Sequence, residues 1–163
     1  MKIPFVSIIM PCFNSSAFIS SSLESVFSQT FSNWEIIIVD DYSTDKTVEV
    51  VKSFTKKDER IKLFSLKENV GAASARNIAL KNAKGRYIAF LDSDDIWHKD
   101  KLQKQLNFMK EKDCAFSFTS YQPISENGQQ YHKIIQVPKT LNYHQYLGNT
   151  IIGCLTVLID KEK

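Results

Sequence analysis

Trp34-Glu35-Ile36-Ile37-Ile38-Val39-Asp40-Asp41 is an apolar, β-branched run that stops abruptly on two acids. Its hydrophobicity is continuous rather than alternating, the pattern of a parallel strand covered on both faces. Working outward, Val6 to Met10 has the same character and is closed by Pro11. Between the two, Phe18, Ile19, Leu23, Val26 and Phe27 recur at helical spacing, with Ser15 or Ser16 as the cap and a loop over 29–33. Beyond Asp41, Ser43 or Thr44 caps a second helix whose Val48, Val51 and Phe54 face inward, and Ile61 to Leu66 supplies a third strand. The spacing then predicts an alanine-rich helix over Ala72 to Ala83, stopped by Gly85, and a fourth strand over Tyr87 to Leu91 that ends in Asp92. A helix over Lys99 to Lys112 follows, with Leu102, Leu106 and Met109 on one face. Strand alternating with helix in this way defines an α/β protein with a mostly parallel central sheet.

A fifth strand is expected over Ala115 to Tyr121, after which the rhythm changes. Glu126-Asn127-Gly128-Gln129 reads as a hairpin turn, and a short helix near Leu141 to Leu147 and a strand over Leu155 to Ile159 complete the chain. No linker or repeat interrupts it, so 1–163 reads as one domain, with 1–112 as its core and 113–163 as the start of a second half.

The 163 residues are enough to bury a core without disulfides. The 21 Lys+Arg against 18 Asp+Glu leave +3, too little for a nucleic-acid binder. No apolar run approaches the roughly 20 residues of a membrane span. The opening Met1-Lys2-Ile3-Pro4 does not resemble a signal peptide. A cytoplasmic protein is expected, with any membrane association peripheral and at the inner face. Cys12, Cys114 and Cys154 are widely spaced and form no CxxC pair, so they read as reduced thiols, Cys12 as a packing residue.

In an open parallel sheet ligands bind beyond the carboxyl ends of the strands. Those ends deliver Pro11-Cys12-Phe13-Asn14, then Asp40-Asp41, then Glu68-Asn69-Val70-Gly71, then Asp92-Ser93-Asp94-Asp95. Several carboxylates are thus expected on one edge, where a divalent cation with a pyrophosphate would neutralise them. Taken singly, Asp92 and Asp94 read equally as turn and cap residues, Asp41 or Asp45 as a cap of the second helix, and Arg76 as a solvated helix residue.

Taken in order, the segments 6–14, 25–30 (Ser-Val-Phe-Ser-Gln-Thr), 34–45, 69–77 (Asn-Val-Gly-Ala-Ala-Ser-Ala-Arg-Asn) and 85–95 resemble the family 2 glycosyltransferases of GT-A fold. The resemblance implies a Rossmann-like αβα sandwich and an inverting enzyme. Its donor would be a nucleotide-diphospho-sugar, with a leaning to UDP, and its cofactor Mg²⁺ or Mn²⁺. The acceptor would be a saccharide or lipid-linked saccharide in cell-surface polysaccharide synthesis. It places Pro11, Phe13 and Asn14 in the loop backing the base, one of Asp40 and Asp41 on the uracil, and Gly71 and Arg76 along the donor pocket. Asp92 falls on the ribose side, Ser93 among the nucleotide-sugar contacts, and Asp94 on the metal. The family's catalytic base falls beyond Ile159, where Asp160 and Glu162 come too early, so it is expected past Lys163. An edge uncovered there predicts homo-oligomers.

The rival readings lack their own marks. A dinucleotide-dependent oxidoreductase needs G-x-G-x-x-G after the first strand, and Pro11 to Ser16 holds no glycine. A sugar-nucleotide pyrophosphorylase needs a glycine-rich basic loop there. A phosphate-accepting receiver module carries its acidic pair after the first strand, whereas here it follows the second. A non-catalytic nucleotide-sugar-binding fragment differs from the enzyme only in turnover.

Overall fold

The computed structural model describes residues 3–126, 128–129, 132–142, 144 and 152–163. Strands β1 (Val6–Cys12), β2 (Trp34–Asp40), β3 (Ile61–Ser65) and β4 (Tyr87–Phe90) alternate with helices α1 (Ile19–Phe27), α2 (Thr47–Thr55), α3 (Ala72–Lys81) and α4 (Lys101–Lys112). Strands β5 (Phe116–Ser117) and β6 (Leu158–Asp160) follow. Among the described residues the sheet order is β3-β2-β1-β4-β6-β5. β1 runs parallel to β2 and β4, and β2 to β3, while β6 is antiparallel to both β4 and β5.

Alternation along the strands divides the core. Ile8, Met10, Ile36 and Ile38 pack with Leu23 of α1, Val51 of α2 and Leu102 and Met109 of α4. Ile9, Ile37, Val39 and Ile88 face Ala75 and Ala79 of α3. Both sheet faces are therefore covered, which is why these strands read as unbroken apolar runs. Each such buried side chain contributes about 1.5–3 kcal/mol.

Local chemistry departs from expectation at several ends. α1 starts behind Phe18 with no side-chain cap, because the Ser15 carbonyl takes the Phe18 and Ile19 N–H groups while the Ser15 and Ser16 amides turn toward α2. α2 starts behind Lys46, and Asp45, not Ser43 or Thr44, takes the Thr47 N–H at 2.9 Å. α3 ends at Lys81 with Asn82 as C-cap, so Gly85 does not stop it. Gly85 serves a close approach instead, since a Cβ there would lie 2.6 Å from the Ser7 backbone nitrogen.

That approach completes a buried network at the end of the sheet opposite the strand-end acids. Ser7 donates to Glu35 at 2.6 Å, the Lys84 N–H donates to the same oxygen at 2.8 Å, and Lys62 pairs with the other. Burial alone would raise the Glu35 pKa, but these donors, Lys62 foremost, hold it below the ordinary carboxylate range.

The strand expected over 115–121 shrinks to Phe116–Ser117, and Tyr121 pairs instead with Ile135 in an isolated antiparallel bridge. The turn between them is closed by the Ser125 N–H on the Gln129 carbonyl at 2.8 Å. The last strand begins three residues late, after a 3₁₀ turn over Cys154–Thr156. The helix expected over 141–147 falls largely outside the described residues. Among the described residues no helix is long and apolar enough to cross a membrane.

Candidate functional site

From β1 the chain moves outward to β2 and β3, then returns to β4 on the other side of β1. The connections leaving β1 and β4 diverge, and such a reversal leaves a crevice at the carboxyl ends. A cleft of about 620 Å³ lies there. Pro11, Phe13, Asn14, Asp41, Gly71, Arg76, Asp92, Ser93 and Asp94 all line it, with Ser15, Phe18 and Asn69. Of the residues that the family resemblance assigns to donor or metal, Asp40 alone stays outside.

Asp40 ends β2 and follows the alternation of Ile36 and Ile38. It is buried, accepts the Ser43 N–H at 3.2 Å and faces the Cys12 thiol at 3.8 Å. Burial first, and Asp40 second, push the Cys12 pKa far up, so its sulfur is a protonated packing atom. Asp41, one residue on, points the other way. Its two oxygens take the N–H groups of Val70 at 2.7 Å and Gly71 at 2.8 Å, which fixes the turn into α3. Gly71 sits at φ +85°, open to glycine and costly for other residues.

The β1 and β2 loops are stitched together. Asn14, at φ 48°, takes the Thr44 N–H at 2.9 Å and gives its own to the Ser43 hydroxyl at 2.9 Å. Ser16 gives its N–H to Asp45 at 3.0 Å. Desolvation opposes ionisation of Asp45, but the Thr47 and Ser16 donors outweigh it and hold its pKa very low. Asn14 is thus a loop anchor, and what it presents is Phe13, an aromatic ring 49% exposed at the cleft. Ser43, Asp45 and Thr47 carry this geometry. From sequence Ser43 and Asp45 read only as helix caps, and Thr47 carried no signal of its own.

Arg76 reaches from α3 to Asp92 at 2.5 Å. Its Nε is buried and has no hydrogen-bond partner, alone in this among the described side chains. Asp94 is exposed to the cleft and, among the described residues, has no hydrogen-bond or ion-pair partner. Burial, then the charges of Asp94 and Asp92, push Asp95 up to about 6.

The strand-end acids therefore do not form a mutual cage. Asp41 is neutralised by backbone N–H groups and Asp92 by Arg76, and no three His, Cys, Asp or Glu side chains converge among the described residues. The donor set fits Mg²⁺ or Mn²⁺ only in the mode where one or two carboxylates share the ion with a diphosphate. Asp94 is the carboxylate free to do so, and the Arg76 guanidinium lines the same cleft as a cation.

Asp160 and Glu162 lie at the other end of the sheet. Asp160, paired in register with Tyr87 at the start of β4, is buried and takes Arg86 through two nitrogens at 2.6 and 3.0 Å, and Arg86 also reaches Glu162 at 3.1 Å.

Residues 7–158 match the family model described as glycosyl transferase family 2. The chain belongs to glycosyl transferase family 2. Within it, the chain is 53% identical to TuaG of Bacillus subtilis, a protein named for teichuronic acid biosynthesis, over 98% of its own length and 64% of TuaG. It is 46% identical to WfgD of Escherichia coli, a UDP-Glc:α-D-GlcNAc-diphosphoundecaprenol β-1,3-glucosyltransferase, over 96% of its length and 60% of WfgD. The chain thus spans less than two thirds of these family members. Among solved structures it resembles S. aureus TarS 1–349 in complex with UDP-GlcNAc, with TM-score 0.71 and 32% identity over 79% of this chain and 37% of that one. The fold also matches the Pyrobaculum calidifontis mannosyltransferase PcManGT in complex with GDP-Man and Mn²⁺, with TM-score 0.72 and 18% identity over 99% of this chain and 46% of that one.

Proposed function

We propose that this chain forms the nucleotide-sugar-binding part of an inverting glycosyltransferase. It takes a sugar from a UDP-sugar for transfer to a lipid-linked saccharide in cell-surface polysaccharide synthesis. The observation that carries the reading is the cleft where β1 and β4 diverge: one free carboxylate, the Arg76–Asp92 ion pair and one exposed aromatic ring line the same space. The names of the family 2 relatives supply the donor class and the acceptor class, and TarS with UDP-GlcNAc supports the nucleotide.

Each part has a task. Phe13 stacks on the base, and Asp41, the member of the acidic pair that lines the cleft, faces its polar edge. Asp92 sits by the ribose, and Arg76 donates to the diphosphate. Asp94 holds a divalent ion, which when bound stabilises the charge on the departing nucleoside diphosphate. The acceptor's base is assigned to none of the residues described, because Asp160 and Glu162 are engaged by Arg86 far from the cleft.

The test is calorimetry with UDP, GDP and CDP in the presence of Mn²⁺. UDP is expected to bind at least about tenfold more tightly than the others, since a base that leaves a buried polar partner unpaired costs about 1–3 kcal/mol. Equal affinity for all three would overturn the assignment of donor class.

A further inference from the structure

The segment Ser25 to Thr30 takes no part in the cleft; it spans the end of α1 and the residues just after it, and beside the apolar stripe of Ile19, Leu23 and Val26 this part of the chain buries polar side chains. Ser22, Ser25 and Gln29 are all at most 6% exposed. Ser22 and Ser25 stand at i and i+3 on one face of α1, and Gln29 follows two residues after the helix ends at Phe27. A buried hydroxyl or amide is costly unless paired, and here every partner outside α1 belongs to one segment. The Ser22 hydroxyl donates to the Ser93 carbonyl at 2.8 Å. The Ser25 hydroxyl accepts the Trp97 N–H at 3.2 Å. The Gln29 amide donates to the His98 carbonyl at 2.9 Å and its oxygen accepts the Leu102 N–H at 3.1 Å. Ser15, just before the helix, adds a contact between its hydroxyl and that of Ser93 at 2.7 Å.

We propose that this polar stripe is a positioning device: α1 sets the path of the acidic loop from Ser93 to Leu102, and thereby the place of Asp92 and Asp94 at the cleft. None of the stripe residues touches substrate by this reading. They act through the backbone of the loop, which Trp97 and Leu102 also anchor in the apolar core. The consequence for binding rests on the donor site proposed above, whereas the consequence for the loop does not.

Two readouts on the intact chain separate these. In Ser22→Ala and Gln29→Met, hydrogen exchange of the Trp97 and Leu102 amides is expected to accelerate about tenfold relative to the amides of β1 and β2, the effect of one lost buried hydrogen bond. Mn²⁺·UDP affinity is expected to fall about tenfold while uridine affinity, set by the base contacts of the β1 and β2 ends, stays within about twofold. Ser25→Ala, which removes the acceptor of the Trp97 N–H at a residue outside the cleft, is the milder variant should the others unfold. Ser7→Ala, in the buried network at the opposite end of the sheet, is the control for lost stability alone. Unchanged exchange in the loop, or a loss of Mn²⁺·UDP affinity in Ser7→Ala equal to that in Ser22→Ala, would overturn the proposal. If exchange accelerates but the unsubstituted chain fails to bind Mn²⁺·UDP, the positioning stands and the donor-site reading falls.

Discussion

Asp40 and Asp41 are neighbours that face opposite ways, because a strand turns its side chains by half a revolution at each residue. Both carboxylates are buried and both are hydrogen-bonded, so composition and burial do not tell them apart; only the register of β2 against β1 does. That is why the acidic pair was legible in the sequence and its division of labour was not. Asp41→Ala is expected to weaken UDP binding about tenfold or more, since it removes a cleft acid and frees the Val70 and Gly71 amides together. Asp40→Ala is expected to lower the unfolding midpoint while leaving UDP affinity within about threefold, as calorimetry and urea titration will show. Glu35 gives a residue-scale test of stability. Its pKa is lowered in the fold, so its contribution is fully present above the ordinary value of 4.5 and is lost as pH falls through the lowered one. Glu35→Gln should therefore cost about 2 kcal/mol at pH 7 and progressively less on acidification below the ordinary value, measured by urea unfolding across that range.

At the scale of elements, the apolar runs announced β1 to β4 and their helices within a residue or two. What sequence missed were the ends, where caps compete. Ser15 and Ser16 were suitable caps for α1, but the pull of α2 and of Ser93 on them is tertiary, and periodicity carries no sign of it. Gly85 shows the same limit. A glycine after an alanine-rich helix reads as a stop, whereas its role is to let the loop touch β1. Gly85→Ala forces a Cβ to within 2.6 Å of the Ser7 nitrogen and must displace backbone. A loss of about 1–3 kcal/mol in urea unfolding is expected, with UDP affinity retained because the clash lies at the end of the sheet away from the cleft. The antiparallel β6 was the least legible strand, since an insertion of polar and aromatic residues precedes it and its pairing with β4 and β5 is entirely long-range.

For the whole molecule, one topological fact organises the rest. Strand order reverses at β1 and β4, and that single reversal gathers residues from 11 to 94 around one cleft. The alternating pattern put any ligand beyond the carboxyl ends of the strands, so the edge bearing the candidate site was legible before any coordinates, whereas the strand order was not. The physics of its acids was not, because the sequence suggests carboxylates awaiting a cation, while the fold pairs Asp40, Asp41 and Asp92 with donors of its own and leaves Asp94 free at the cleft. The central claim is therefore that Asp94 is where metal and diphosphate meet. It is tested most directly by UDP isotherms with Mn²⁺ and with chelator, for this chain and for Asp94→Ala. The account predicts that chelation weakens UDP binding at least about tenfold in the unsubstituted chain, and that Asp94→Ala binds at the chelated level whether or not Mn²⁺ is present. Equal Mn²⁺-dependent affinity in the two chains would contradict it.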